Sequence, residues 1–189
     1  MIAVIDNGGQ YTHVIWRSVR DLGFEAKIFP KETPFASLPT PKAFVLSGGP
    51  GSAYKDEFYV NKDIILGAAR GILTQPVLGI CQGHQLIAHY LGGKVGRGES
   101  AEYGIGRIAV DEPDLLFKGL PSSFNAWVSH FDEVKRLPPD FVSLAHSATC
   151  RIEAMKHKSR PLFGVQFHPE VWHTEGGERI LANFLSLAR

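Results

Sequence analysis

Three side chains offer the chemistry in this sequence. Cys81 follows the apolar run V-L-G-I at 77–80 and precedes Gln82-Gly83-His84-Gln85, so a strand should turn sharply into a helix at the thiol. A nucleophile at such a turn projects from the carboxyl edge of a sheet. There the free N–H groups of the first helical turn favour a thiolate over a thiol. Gly79 and Gly83 permit the tight turn and a close approach of substrate. His168 ends a second apolar run, G-V-Q-F-H-P-E at 164–170, with Glu170 two residues on. In an extended chain, residues two apart point to one side, about 7 Å apart along the backbone. Glu170 can therefore turn back on the imidazole, fix its tautomer and stabilise its charged form. Nucleophile, base and orienter make one catalytic unit. Cys150 lacks such a context and reads as buried filler.

A fourth element is S-G-G-P-G-S at 47–52, after a buried-looking strand. It lacks the spacing and the lysine of a Walker A loop, so a phosphate cradle is the weaker reading. A backbone N–H from this loop, paired with that of Gln82, suits a tetrahedral oxyanion better, although taken alone the loop reads as a plain turn. A metal site is not expected. His84 and His89 are five apart, and neither H-E-x-x-H nor C-x-x-C occurs.

The elements that must position these groups are legible as a rhythm. Strands are expected at 2–6, 24–29, 43–47 and 77–80, and helices at 11–22, 57–70 and 82–91. Val14, Ile15, Val19 and Leu22 would line one side of the first helix, and Gly23 would close it. The proline-rich segment 30–41 reads as a surface loop. The second half is richer in strands, at 105–110, 126–129, 141–145, 151–155 and 162–167, with a closing amphipathic helix over 175–188. Alternating strands and helices predict an α/β fold: one domain over residues 1–189, a mostly parallel open sheet of flavodoxin-like type with helices on both faces.

Composition narrows the class. With 189 residues and 44% hydrophobic residues, the chain can bury a full core. A net charge of +1 carries no electrostatic footprint for nucleic acid. No apolar run approaches the roughly 18 residues of a membrane span. The opening I-A-V-I-D is too short and too soon acidic for a signal peptide, and two cysteines make no disulfide framework. A cytosolic protein with reduced thiols is expected.

G-I-C-Q-G-H-Q at 79–85, V-Q-F-H-P-E at 165–170 and S-G-G-P-G-S at 47–52, with Cys81 lying 87 residues before His168, together resemble the class I (triad) glutamine amidotransferases. The resemblance spans essentially the whole chain. V-I-D-N-G-G-Q-Y-T at 4–12, W-V-S-H-F-D-E-V at 127–134, I-E-A-M-K-H-K at 152–158 and H-P-E-V-W-H-T at 168–174 look more narrowly like the glutaminase part of GMP synthases, and most like the separate archaeal type of subunit.

The resemblance implies that Cys81 attacks the side-chain amide of glutamine, that His168 moves protons and that Glu170 orients it. It further implies that Gly49 and Gln82 supply oxyanion N–H groups. Gly48, Gln85 and the segment Ser129, His130 and Phe131 would hold the substrate. No role follows for His84. Fused members carry an ATP pyrophosphatase loop resembling S-G-G-V-D-S, whereas here Ser47-Gly48-Gly49 runs into Pro50. The resemblance therefore implies no cofactor in this chain. ATP and Mg would sit on a separate ATP pyrophosphatase subunit that aminates XMP. A stand-alone cysteine hydrolase of γ-glutamyl substrates, or a non-catalytic regulatory module of the same fold, is the alternative. The first is disfavoured by D-N-G-G-Q-Y and S-H-F-D, the second by an intact Cys81, His168 and Glu170.

Overall fold

A computed structural model describes residues 1–188, apart from the side chains of Glu99, Ser100 and Glu102. Arg189, the last residue of the expected domain, lies outside the described residues. The first strand, β1 (Ile2–Asp6), pairs in parallel with β2 (Ala26–Pro30) and β3 (Ala43–Leu46). β3 pairs with β4 (Val77–Ile80), and β4 with β9 (Leu162–Val165), again in parallel. Beyond β9 the same sheet continues antiparallel. It runs through β8 (Ala154–His157), β7 (Phe141–His146), β5 (Lys94–Val110) and β6 (Ser123–Arg136). The order is β2-β1-β3-β4-β9-β8-β7-β5-β6. β3, β4 and β9 are buried at every residue, as strands covered on both faces must be.

Helices cover the two faces. α1 (Thr12–Asp21) and α4 (Gly177–Leu185) pack on one face, where Ile15, Val19, Ile180 and Phe184 join Val4, Val45 and Ile80 in one core cluster. α2 (Tyr59–Ala69) and α3 (Gln82–Tyr90) pack on the other, where Ile64, Ile65, Leu86 and Ile87 meet Ile5, Phe44 and Leu46. Gly23 ends α1 at φ 87°, donating to the Arg20 carbonyl at 2.9 Å. Val14 departs from the expected face of α1. It is exposed, because the stripe that meets the sheet is Ile15 and Val19, four apart.

The second half departs further. β5 and β6 form a long hairpin that starts well before the expected 105–110 and runs well past 126–129. Its polar and glycine-rich parts, K-V-G-R-G-E-S-A-E-Y at 94–103, lack the apolar alternation that marks a strand. Strand pairing supplies the order instead, with a register shift between Arg97 and Glu102. β8 begins at Ala154, three residues later than expected. Glu153 still accepts from Gln166 and donates to Ala145, but at a register shift in the β7–β8 ladder.

Candidate active site

Cys81 sits between β4 and α3 with φ 53° and ψ −105°, the only non-glycine residue at positive φ among the described residues. An L-residue held there is strained, and such strain collects at functional sites. The strain is sustained from both sides. The Cys81 N–H donates to the Val165 carbonyl of β9 at 2.8 Å, and its carbonyl accepts from the Gln85 N–H at 3.1 Å. The flanking glycines are needed for close approach. A Cβ on Gly83 would lie 2.3 Å from the Leu46 carbonyl oxygen, and one on Gly79 would lie 2.4 Å from the carbonyl carbon of Gly83. The thiol is almost wholly buried, with Sγ 3.8 Å from the Ser129 carbonyl.

His168 and Glu170 meet as expected, though the chain gets there differently. β9 ends at Val165, and His168 to Val171 forms a turn in which the Val171 N–H donates to the His168 carbonyl at 3.4 Å. That turn, rather than an extended run, brings Glu170 Oε1 to 2.8 Å from His168 Nδ1. A carboxylate accepts, so Nδ1 carries the proton and Nε2 is the ring nitrogen left for Cys81. Burial opposes the imidazolium. The Glu170 carboxylate, then the Cys81 charge and the hydrogen bonds to both, hold it well above the ordinary histidine value.

Three further residues fix the ring and were not singled out from sequence. Thr174 Oγ1 donates to the His168 carbonyl at 2.6 Å and accepts from the Trp127 N–H at 2.9 Å. Tyr11 stands edge-on to the His168 ring at 4.9 Å, and its hydroxyl accepts from Trp127 Nε1 at 3.0 Å. Tyr11 and Thr174 fall inside motifs noted above, but nothing local marks their contact with His168.

The loop at 47–52 faces Cys81. A Cβ on Gly48 would lie 3.2 Å from His168 Cε1 and 3.4 Å from Cys81 Cβ, so this position opens directly onto the pair. A Cβ on Gly49 would lie 2.4 Å from both the Asn7 carbonyl oxygen and Gln82 Oε1. The loop is anchored by Asn7. Its N–H donates to Ser47 Oγ at 3.0 Å, its Nδ2 donates to the Ser47 carbonyl at 2.8 Å, and its Oδ1 accepts from Asn61 Nδ2 at 2.8 Å. The D-N-G-G-Q-Y-T motif thus braces the glycine loop. Asp6 Oδ1 accepts from the Gly8 N–H at 2.9 Å and from Thr12 Oγ1 at 2.8 Å. The Gln82 side chain donates to the Gly51 carbonyl, so the residue beside the nucleophile also ties the loop to it. Its own N–H, at the first turn of α3, has no helical acceptor.

Gln85, Ser129, His130 and Phe131 line the same cavity of about 550 Å³ as Gly48, Gly49, Cys81, Gln82 and His168. Gln85 Nε2 donates to the Asp132 carbonyl at 2.6 Å. Phe131 is half exposed at the rim, edge-on to Tyr103 at 5.3 Å. His130 alternates inward with Ala126 and Val128. His84 is fully buried beneath the site. Its Nε2 lies 3.2 Å from the Ile152 carbonyl, and burial lowers its pKa to about 3. Cys150 is buried in a turn, where its N–H donates to Ser147 Oγ at 2.9 Å.

A strained thiol on a strand-to-helix turn, facing a buried His–Glu pair and a braced glycine loop, defines a cysteine-dependent acyl-transfer site on a doubly wound sheet. The sequence matches the family model for glutamine amidotransferase class-I over residues 3–188, and the chain belongs to that family. It is similar to the glutamine-hydrolyzing GMP synthase subunit of Pyrococcus abyssi, with 51% identity over 99% of this chain and 98% of the relative. The protein of the same name from Methanocaldococcus jannaschii is 50% identical over 97% of this chain and 95% of the relative. The crystal structure of a Thermoplasma acidophilum protein superposes with a TM-score of 0.90 at 38% identity, covering 99% of this chain and 92% of that one. Among the described residues, no helix is long and apolar enough to cross a membrane.

Proposed function

We propose that this chain is the glutaminase subunit of a two-subunit GMP synthase. It releases ammonia from glutamine, and a separate ATP-dependent subunit in the cytosol uses that ammonia to convert XMP to GMP. One observation carries the reading: strained Cys81 faces the buried His168–Glu170 pair inside a cavity roomy enough for an amino acid. The relatives named as GMP synthase subunits support the nucleotide product and the division of labour between two chains.

The chemistry follows from the geometry. His168 Nε2 takes the thiol proton, and Cys81 Sγ adds to the side-chain amide carbon of glutamine. The amide oxygen gains negative charge, met by the N–H groups of Gln82 and Gly49. The imidazolium, steadied by Glu170, gives its proton to the amide nitrogen. The C–N bond breaks, ammonia leaves and a γ-glutamyl thioester remains. Water then adds to the thioester as His168 takes its proton. The C–S bond breaks, glutamate departs and the thiol is restored. Gln85 and the backbone of Ser129, His130 and Phe131 hold the amino-acid end of the substrate, and Gly48 leaves room for its side chain. ATP and Mg act on the partner subunit.

The test is a reconstitution with the synthetase subunit, ATP, Mg and XMP. Cys81→Ala should abolish GMP formation from glutamine and leave formation from ammonia intact. Glutamine use that survives the substitution overturns the reading. Ammonia release from glutamine should rise when the loaded partner is added and should exceed cleavage of γ-glutamyl peptides. Equal hydrolysis with and without the partner removes the assignment to a two-chain enzyme.

A further inference from the structure

Gln166 follows β9 directly, two residues before His168, and is wholly buried. It does not line the cavity that holds Cys81 and Gln85. Its backbone N–H donates to the Glu153 carbonyl at 2.7 Å, which fixes the main chain. The side chain is a buried primary amide, and such groups are kept only with their hydrogen-bonding atoms satisfied.

The way this amide faces follows from chemistry. The Asp132 backbone oxygen can only accept, so the Gln85 atom 2.6 Å from it is the nitrogen. That nitrogen also lies 3.1 Å from Gln166, so the Gln166 atom facing it is the oxygen. The NH2 of Gln166 is then left pointing at Cys81 Sγ, 3.7 Å away, within range for a sulfur acceptor. One carbonyl on β6 thereby orients two amides in series, and the second ends on the nucleophile.

We propose that Gln166 is a positioning residue for the nucleophile: its amide holds a hydrogen-bond donor against Cys81 Sγ, in an orientation dictated by the cavity residue Gln85. A donor to sulfur binds the thiolate more strongly than the thiol, because the acceptor is then charged. The Ser129 carbonyl, 3.8 Å from the same sulfur, has the opposite preference, accepting from S–H and repelling S⁻. Gln166 supplies the counterweight. Packing alone would not require an amide here, since a thioether of the same length fills the same space. Ionisable groups on the surrounding elements include His168 and Glu170 after β9, Glu153 just before β8, His130, Asp132 and Glu133 on β6, and His84 in α3.

The proposal rests on Cys81 as the nucleophile, and its test is read without glutamine. Gln166→Met removes the donor at nearly constant shape, and Gln166→Glu replaces it with a carboxylate that still accepts from Gln85. Iodoacetamide labelling of Cys81, located by mass spectrometry, is followed against pH. The midpoint should rise by about one unit in the Met variant and further in the Glu variant. Glutaminase kcat near neutral pH should fall about tenfold in the Met variant and recover at higher pH, with KM changed less than about threefold. Profiles that match the parent, or activity lost only in step with melting temperature, overturn the proposal. Should both variants fail to fold, the parent decides. The side-chain amide resonance of Gln166 should shift with the same midpoint as labelling, and a resonance indifferent to pH and to alkylation overturns it. A parent that labels at Cys81 but does not hydrolyse glutamine even with the loaded synthetase subunit present refutes the proposed function and leaves the Gln166 result readable.

Discussion

Nδ1 of His168 lies 2.8 Å from Oε1 of Glu170, with both side chains almost completely shut off from solvent. At such a site the carboxylate does more than aim the ring, because burial alone would drive the imidazolium toward neutrality. Glu170→Gln keeps an acceptor for Nδ1–H and removes the charge. An opposite charge at this range moves a neighbour by about 1–3 pH units, and each unit is worth about tenfold. Glutaminase kcat at saturating glutamine should therefore fall about 10- to 1000-fold, and an unchanged kcat contradicts the role. Stability gives a second reading. His168 has a raised value in the folded state, so its contribution is full below about pH 6.5 and is lost as pH climbs through the raised value. Denaturant unfolding should separate parent and Glu170→Gln more at pH 6 than at pH 9.

Gly49 is predicted to tolerate no side chain. The Asn7 carbonyl and Gln82 Oε1 each stand 2.4 Å from where its Cβ would be, so Gly49→Ala must displace the loop. The loop N–H then leaves the oxyanion position, and loss of one such donor costs about 10²–10³ in kcat. KM for glutamine should change far less. Steady-state kinetics of Gly49→Ala decides it, and a fall below about tenfold would remove Gly49 from the oxyanion site.

His84 should make the protein sensitive to acid. Its pKa is lowered from 6.5 to about 3, chiefly by burial, so the unfolded chain binds a proton that the native state refuses. The stability is present above about pH 6.5 and drains as pH falls toward 3. Between pH 7.5 and pH 5 the loss is about 2 kcal/mol. Urea unfolding of His84→Asn should show a flatter dependence by that amount over the same range. Parallel curves for parent and variant would exclude His84 as the acid-labile group.

The parts of the proposed triad were legible because each announces itself locally. An apolar strand running into Cys-Gln-Gly, and His-Pro-Glu after another, are short patterns whose geometry is set within a few residues. The parallel strands and their helices were legible for the same reason, since burial on both faces writes continuous apolar runs. The hairpin of β5 and β6 was only partly legible. Its outer residues, such as Gly96 and Arg97, are ordered by partners across the ladder and not by their own pattern.

By itself, then, the sequence pointed to the thiol at a strand-to-helix turn, the imidazole with its carboxylate, and the sheet edge where the structure places them. Tertiary structure alone decided what surrounds them. Gln166 reaches Cys81 across 85 residues of chain, Trp127 reaches Tyr11 across 116, and Asn7 reaches Ser47 across 40. It also decided that His168 and Glu170 meet through a turn, and that α1 buries Ile15 rather than Val14. The reason is physical. Periodicity and turn chemistry act between near neighbours, whereas a buried amide finds its partner only once the strands that carry both are paired.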